Sequence, residues 1–484
     1  MDIERRDFLR LASLAAAAVP ARAYGLAAGQ PDTRFDEIAA LVETKMTEYG
    51  VPAVGLGILN GDDLAMRGFG VTSLDDPRLV TPETLFTIAS ISKTVTATAI
   101  MKLVEEGRLA LRAPVRTYLP AFRVRDEAAS RDLQIWHLLT HTPGFEGQLS
   151  TRDLGAESLA DFADNTLPTL PQLAPPGAVW SYNNAGFTLA GRVIEVVTGQ
   201  NIHTALRELV FAPLGLTRAF TRLVDAMTHP VTLGHRERGG RTEVMRPFQT
   251  TSSATAGGVI VSLADLMAWA RFHLGDGIAP DGRPYLSHAS LELMQAPQAP
   301  KNSTGDAIGL GWHLRPLGGV LTAAHGGTLN SHCLHLQLVP SRRLAFAILT
   351  THSSGWRLVQ DVEHTILRRY ANLALAPNQA IGHRGVNEAM TFHSTPLPAQ
   401  PDLAEYAGEY VRPPLTGVTV RRDGDRLVVA SGNAQRGTSI AFYGPDVAYA
   451  TAGSYEGSPY EFIRAPDGRV GWIRMNGRIA RKEN

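Results

Sequence analysis

The sequence predicts an α/β domain that is interrupted by a helical insertion and followed by a small all-β domain. Apolar residues repeat at helical spacing over 34–49, and two strand-like runs around Gly61 then form a hairpin signal. Two further strand-like runs, at 333–339 and 344–350, indicate that strands from both ends of the first domain share one sheet. From residue 401 the pattern is purely β, because short apolar runs alternate with turn residues.

Composition restricts the class of protein. Hydrophobic residues make up 44% and charged residues 19% of the 484 positions, which is typical of globular domains with a substantial core. Lys+Arg and Asp+Glu both number 46, so nothing indicates a nucleic-acid or acidic-membrane partner. The single cysteine, Cys333, excludes an intrachain disulfide and multi-cysteine metal sites, and we interpret it as a small core residue. Neither observation predicts an oligomeric state.

The first 23 residues have the pattern of an export signal. Arg5 and Arg6 form a twin-arginine pair, an apolar run follows over 11–19, and Ala21-Arg22-Ala23 matches a cleavage site. The run is too short to span a bilayer, and no cysteine at the cleavage point could carry a lipid. We therefore predict twin-arginine export to the periplasm or the medium, with no membrane anchor after cleavage. The alternative is a helix start that happens to carry two arginines.

The remaining chain divides into three parts. Residues 109–293 carry mainly helical patterns with Pro- and Gly-rich connections, and a long amphipathic helix is predicted over 356–373. Residues 376–400 are polar without periodicity, which indicates a linker. The short strands of 401–484 suggest a small barrel or meander. No acid–base cluster stands out there, so we interpret this part as a structural or substrate-restricting accessory domain.

The most informative stretch is a predicted helix that begins near Ser90 and ends at Gly107. Ser90 and Lys93 interrupt its small, apolar face, and side chains three residues apart on a helix can touch. A hydroxyl becomes a nucleophile when a neighbouring base takes its proton, and a neutral lysine amine can be that base. The same residues also fit a serine-rich helix start with a surface lysine, so the catalytic interpretation needs support from other segments.

Two further segments carry suitable chemistry. Tyr182 and Asn184 follow a Pro-Pro-Gly turn that presents them on a loop opening a helix, where a phenol can exchange a proton and an amide can bind substrate. His325 and Gly327 precede the strand at Cys333, and glycines there would let a substrate backbone pair with the strand edge. Each segment alone also fits a structural role: aromatic packing beside an N-capping asparagine, and a simple turn.

Taken in order, these three motifs resemble those of the serine hydrolase family that contains class C β-lactamases, penicillin-binding D-Ala-D-Ala carboxypeptidases, D-aminopeptidases and related carboxylesterases. The motifs are Ser90-x-x-Lys93, Tyr182-x-Asn184 and His325-x-Gly327. Flanking residues agree, including Leu138-Leu139-Thr140-His141-Thr142-Pro143-Gly144. The likeness covers roughly 34–375, and residues 401–484 resemble the lipocalin-like domain that some members carry. It implies an antiparallel sheet flanked by helices, with a helical subdomain and a C-terminal all-β barrel.

The resemblance also implies roles for individual residues. Ser90 would be the nucleophile that forms an acyl-enzyme, while Lys93 and Tyr182 would share the general-base and general-acid work in an order that stays open. Backbone N–H groups of Ser90 and Thr328 would form the oxyanion hole, and Asn184 would orient Lys93 and the substrate amide. The implied substrate-binding residues are Asn184, His325, Gly327 and Thr328. The resemblance implies no cofactor and no metal.

A zinc site is the competing interpretation of two histidines. His137 and His141 are four residues apart, which on a helix would place both on one face. The glutamate of the zinc hydrolase motif is missing between them, and Pro143 and Gly144 end the helix at once. The sequence therefore predicts no metal here.

One departure from the family pattern bears on the substrate. Where β-lactamases and carboxypeptidases carry a lysine in the third motif, this sequence has His325, which is mostly neutral at pH 7. We therefore favour a peptidase or amidase acting on D-amino-acid peptides, or a carboxylesterase. A β-lactamase or D-Ala-D-Ala carboxypeptidase is the first alternative. A penicillin-binding sensor that is acylated without turnover is the second.

Overall fold

The computed structural model describes most of the chain. The described residues are 33–147, 158–247, 254–303, 305–374, 396–413, 415–431, 437–451 and 456–483. The predicted signal peptide at 1–23 and the larger part of the predicted linker, 376–395, lie outside them. No helix within the described ranges is both long and apolar enough to cross a membrane.

Helices flank a central sheet and form the subdomain beside it. They are α1 Thr33–Tyr49, α2 Ser92–Glu105, α3 Glu127–Asp132, α4 Ile135–Leu139, α5 Ser158–Asp161, α6 Asn184–Thr198, α7 Ile202–Leu206, α8 Leu223–Ala226, α9 Leu263–Leu274, α10 His288–Gln295 and α11 Gly355–Ala371. The helices predicted over 34–49 and 356–373 are confirmed as α1 and α11. Both are amphipathic and bury their apolar faces against the same side of the sheet.

The central sheet has eight antiparallel strands that come from both ends of the first domain. In spatial order they are β2 Asp63–Gly70, β1 Ala53–Asn60, β13 Leu344–Thr350, β12 His332–Val339, β11 Val320–Leu329, β10 His313–Leu317, β9 Ala307–Ile308 and β8 Ala299–Pro300. β1 pairs with β13, which confirms that one sheet unites the two groups of predicted strands. Strand β12 is buried throughout, and Cys333 within it is a core residue as predicted.

The region predicted as helical also contains short strands. They are β3 Leu85–Thr87, β4 Ala219–Phe220, β5 His235–Arg238, β6 Arg241–Val244 and β7 Ile260–Ser262. β7 lies between β3 and β4 in a small three-stranded sheet. Of these strands, β3 leads directly into the Ser90 segment. Strands of two to four residues carry too little alternation to be seen in a sequence pattern.

The C-terminal part is a closed barrel of eight antiparallel strands, which confirms the predicted all-β domain. The strands are β14 Gly408–Arg412, β15 Leu415–Asp423, β16 Arg426–Ser431, β17 Thr438–Gly444, β18 Val447–Ala450, β19 Pro459–Arg464, β20 Val470–Met475 and β21 Arg478–Lys482. β14 pairs with β21 and closes the barrel around its own apolar core. Closure leaves no unpaired sheet edge along the ring.

Candidate active site

Ser90 lies in a 3₁₀ turn, Ala89–Ile91, that leads directly into α2. Ser92 holds this turn in place, because its hydroxyl donates to the Ala89 carbonyl at 2.6 Å and accepts the Val259 N–H at 2.9 Å. Ala89 has a φ of 46°, a left-handed conformation that a residue with a Cβ adopts only under constraint. Ser90 is therefore a partly exposed hydroxyl fixed at the start of a buried helix.

Lys93 is completely buried beneath Ser90. Its amine contacts Ser90 Oγ at 3.2 Å and also donates to the Ala256 carbonyl. Burial lowers the pKa of Lys93 well below its usual value, and the positive charge of Arg478 lowers it further. A neutral amine at this distance is able to accept the Ser90 proton.

Tyr182 completes a group of three side chains with Ser90 and Lys93. Its ring centroid lies 4.9 Å from Lys93 Nζ, and its hydroxyl is near enough to Ser90 to influence the pKa of the phenol. Burial raises the pKa of Tyr182 to about 12, although Ser90 and the Arg478 charge act in the opposite direction. The phenol is thus protonated at neutral pH, where it can donate a proton. The structure brings together the three residues that the sequence predicts as catalytic.

Asn184 is the first residue of α6, and Asn183 caps that helix. The Asn183 carboxamide oxygen accepts the Gly186 N–H at 2.7 Å, so the capping asparagine foreseen in the sequence is Asn183. The Asn184 N–H donates to the Gly147 carbonyl at 3.0 Å, and its side chain is partly exposed. The Lys93 amine bonds to Ser90 and to a backbone carbonyl instead. The role of Asn184 in orienting Lys93 therefore stays a prediction.

The third motif lies inside β11 rather than in a turn before the next strand, because β11 extends to Leu329. Gly327 packs directly against the Ser90 turn: an added Cβ would lie 2.7 Å from the Ile88 carbonyl oxygen and 2.9 Å from the Ala89 Cβ. β10 pairs with β11 only as far as Ala324. From His325 onward this edge of β11 has no partner in β10, so a substrate backbone could pair with it.

Thr328 follows on the same strand, next to the turn that carries Ser90. Its hydroxyl accepts the indole N–H of Trp356 at 2.9 Å, which ties the motif to α11. The strand is thereby held from both sides, by Gly327 against the Ser90 turn and by Thr328 against α11.

Three histidines surround the ring of Tyr182. The ring centroids of His141, His313 and His325 lie 4.5, 6.1 and 6.4 Å from that of Tyr182. One ring nitrogen atom from each lies within 4.8 Å of the other two, which is close enough for the three to bind one metal ion. However, His141 Nδ1 accepts the Asn183 N–H at 2.9 Å, so the neutral ring carries its proton on Nε2 and offers no free lone pair there. The cluster fits better as packing that holds Tyr182.

The premise of the zinc alternative, two histidines on one helix face, was wrong. α4 ends at Leu139, and His141 lies beyond it with a φ of 56°. His137 Nδ1 instead accepts the backbone N–H of Gln134 at 3.0 Å, at the start of α4.

The barrel supplies a residue that the sequence reasoning missed. Its β20–β21 hairpin reaches the loop before α6, where the Tyr182 N–H donates to the Gly477 carbonyl at 2.8 Å. Arg478 donates from Nη1 to the Tyr182 carbonyl at 3.0 Å, and its Cζ lies 5.3 Å from the Tyr182 ring centroid. Asn476 and Gly477 both have positive φ, as a two-residue hairpin turn requires. That Asn-Gly pair marks a hairpin in the sequence, but not its position beside Tyr182.

An apolar contact anchors this hairpin. Trp472 is buried against the hydrolase domain and donates its indole N–H to the Leu173 carbonyl at 2.7 Å. Residues of both domains form one buried cluster here, namely Leu173, Ala174, Val179, Trp472 and Ile479. The barrel is thus packed onto the site, and its interpretation as an accessory domain is incomplete.

A narrow cleft adjoins the third motif. It meets the site at His313, His325 and Gly326, and Lys301 and Arg315 line its wall. Burial lowers the pKa of Lys301 to about 8.

Comparison with known proteins agrees with this geometry. The profile of the Beta-lactamase family matches residues 38–368. Penicillin-binding protein 4 of Amycolatopsis lactamdurans is 32% identical over 375 residues, covering 76% of this chain and 94% of that protein. Unguisins hydrolase ungD' of Aspergillus campestris is 26% identical, covering 82% and 79%.

Solved structures extend the likeness to the barrel. The structure of SurE matches with a TM-score of 0.75 and 26% identity, covering 93% of this chain and 99% of SurE. SurE has also been solved with D-Leu, and that structure matches with a TM-score of 0.73 and 24% identity. A class C β-lactamase from Rhodobacter sphaeroides shares the fold over 69% of this chain, with a TM-score of 0.56 and 22% identity.

Proposed function

Because the chain belongs to the Beta-lactamase family of serine hydrolases, we propose that it cleaves an amide or ester bond through an acyl-enzyme on Ser90. One observation carries the proposal: the buried Lys93 amine lies 3.2 Å from Ser90 Oγ, in surroundings that lower its pKa and so favour the neutral form. A buried neutral amine beside a partly exposed hydroxyl is the arrangement that activates a serine.

In the proposed reaction, Lys93 takes the proton of Ser90 as Oγ attacks the carbonyl carbon of the substrate. The negative charge that develops on the carbonyl oxygen would be met by the backbone N–H groups of Ser90 and Thr328. Tyr182, protonated at neutral pH, would deliver a proton to the leaving amine or alcohol. A water molecule then attacks the acyl-enzyme, and the same groups act in reverse.

We propose peptides or esters with a D-amino acid at the scissile bond as the substrate class. SurE, which matches 93% of this chain, has been solved with D-Leu, and a relative is named for hydrolysis of unguisins. The edge of β11 beyond Ala324, alongside which β10 does not run, suits an extended peptide backbone. His325 offers only an imidazole at the third motif, which favours neutral substrates over penicillins.

The test is a panel of substrates on the full chain and on two pairs of variants. It contains chromogenic esters, D- and L-aminoacyl anilides and a chromogenic cephalosporin, with mass spectrometry to detect the acyl-enzyme. Ser90→Ala should lower the rate of hydrolysis by a factor of about 10⁴–10⁶, and Lys93→Ala by a factor of about 10²–10⁴. Lys102→Ala is the matched control, because Lys102 lies on the same helix but is partly exposed, and it should keep its activity.

The outcomes separate the alternatives. A Ser90→Ala variant with more than about a thousandth of the wild-type rate would exclude Ser90 as the nucleophile. Preference for the cephalosporin over neutral esters and anilides would make the protein a β-lactamase. A single burst of product without turnover would make it an acylated sensor.

A further inference from the structure

We propose that Arg478, supplied by the barrel, is a positioning residue whose fixed positive charge keeps the Lys93 amine in its neutral, proton-accepting form. The inference rests on the proposed function of Ser90 and Lys93. It assigns the barrel a part in the chemistry, through an arginine that lies 296 residues along the chain from Tyr182.

Geometry places this charge next to the reacting groups. Arg478 Cζ lies 5.3 Å and Lys93 Nζ 4.9 Å from the centroid of the same Tyr182 ring. Their separation is therefore comparable at most with the distance of about 10 Å over which salt screens charges in solution. Because Lys93 is fully buried, screening between them is weaker still.

Arg478 is held there by more than its charge. Its Nη1 donates to the Tyr182 carbonyl at 3.0 Å, and the residues on either side of it bond to the same loop. A guanidinium stays protonated at any physiological pH, whereas an amine or imidazole does not. Arg478 is thus a constant charge, and its effect on Lys93 has one sign: like charges disfavour the protonated amine.

Other ionisable groups face the same region. Those around the Tyr182 ring are His141, His313 and His325, and those facing Arg478 are Glu146 and Arg412. Glu146 is buried and pairs with Arg412 at 3.6 Å. Glu146 carries the negative charge that faces Arg478. Removing this charge should therefore shift the pKa of Lys93 in the direction opposite to that caused by removing the charge of Arg478.

The direction of the pH effect follows from these charges. Acylation needs neutral Lys93, so its rate falls as the pH drops through the pKa of Lys93. Arg478 lowers that pKa together with burial. Removing the charge must move the acid limb of kcat/KM to higher pH, which lowers the rate near pH 7 and restores it at pH 9.

The experiment compares charge with hydrogen bonding at this position. Arg478→Gln keeps a donor for the Tyr182 carbonyl but loses the charge, and Arg478→Lys keeps the charge. The pH dependence of kcat/KM is measured with a chromogenic ester between pH 5 and 10. At pH 7 the kcat/KM of Arg478→Gln should be about three- to tenfold lower than that of the wild type. Its acid limb should move upward, while Arg478→Lys should keep the wild-type limb. Arg481→Gln removes the same charge from an exposed position of β21 and should change neither.

Glu146→Gln provides a second, independent measurement that does not depend on the folding of an Arg478 variant. Loss of the opposing negative charge should move the acid limb to lower pH. An acid limb that stays in place in both Arg478→Gln and Glu146→Gln would overturn the inference, as would equal shifts in Arg478→Gln and Arg478→Lys. Failure of the wild-type chain to form any acyl-enzyme would instead overturn the proposed function itself.

Discussion

At the scale of single residues, the buried lysine decides the chemistry. Lys93 is fully enclosed, has two polar contacts and packs against the rings of Tyr182 and Phe187. Keeping a lysine uncharged in such a place stores free energy that a fold without catalytic duty would avoid. The same enclosure lowers the pKa of the amine, which favours the proton-accepting form that the proposed reaction needs.

This leads to a prediction on stability. In the unfolded chain Lys93 holds a proton up to about pH 10.4, whereas burial lowers the pKa of Lys93 in the folded chain. Between these two pKa values the folded chain binds fewer protons than the unfolded chain. The wild-type free energy of unfolding therefore rises with pH across this window. Lys93→Met has no proton to release on folding, so it should be more stable than the wild type by about 1–3 kcal/mol at pH 7. This difference in the free energy of unfolding should shrink towards pH 10.

Chemical denaturation at pH 7 and pH 10 measures this gap. Lys102→Met, on the partly exposed face of α2, is the control and should show no comparable pH dependence. An equal gap at both pH values would mean that Lys93 is charged in the folded protein.

Sequence reasoning reached the reacting residues because each lies in a short motif with local chemistry. Ser90, Lys93 and Tyr182 meet in the structure as predicted. The Asn-Gly turn before Arg478 indicates a hairpin but no chemistry, and the relevance of Arg478 comes only from the docking of the barrel onto the Tyr182 loop. His141 is an example of a spacing that misleads. Its spacing from His137 would place both residues on one helix face only if the helix continued to residue 141, and α4 ends at Leu139.

At the scale of elements, the close approach of β11 to the Ser90 turn positions the motifs. Gly327 is the contact point, because its missing side chain lets the strand lie against Ile88 and Ala89. The glycines were predicted to admit a substrate backbone, and Gly327 in fact admits the protein's own backbone. Glycines in a sequence can thus indicate that a backbone segment lies close to them, but they do not show whether that segment belongs to a substrate or to the protein itself.

Gly327→Ala tests this contact. The added methyl group would clash with the Ile88 carbonyl at 2.7 Å, so strand and turn must move apart. We expect a loss of about 1–3 kcal/mol in the free energy of unfolding and a larger relative loss of kcat/KM, since Thr328 moves away from Ser90. Gly257→Ala is the matched control, because its methyl group would meet Ala89 only at 3.6 Å.

Denaturant unfolding and ester hydrolysis of both variants are the measurements. A Gly327→Ala protein with wild-type stability and activity would show that β11 and the Ser90 turn are not in rigid contact.

At the scale of the whole molecule, two domains share one site. The flanking helices and the long strands of the first domain were readable from hydrophobic periodicity, and the all-β character of the second domain from its short strands and turns. The way the barrel sits on the first domain was not readable, because docking depends on shape and on single contacts such as Trp472 with Leu173.

Trp472→Phe tests the docking. The substitution keeps an aromatic ring but removes the hydrogen bond to the buried Leu173 carbonyl, which should lower the free energy of unfolding by about 1–2 kcal/mol. Activity should fall as well, because the hairpin that carries Arg478 is held less firmly. Thermal unfolding and kcat/KM at pH 7 measure both effects.

Tyr443→Phe is the control, since Tyr443 packs on Tyr449 within the barrel itself. Loss of stability in Trp472→Phe without any loss of activity would mean that the docking contact and the active site are independent.

The contact between Tyr182 and Arg478 also sets an order of events during synthesis. The arginine is added 296 residues after the tyrosine. At about 5–20 residues per second, the ribosome needs roughly 15–60 s to make the intervening chain. The first domain is complete only once α11 has been made, and from then until the hairpin follows it presents the surface around Leu173 and Val179 without its cover. The growing chain therefore exposes an apolar face that chaperones can bind, and the contact between Tyr182 and Arg478 forms only after the last hairpin has docked.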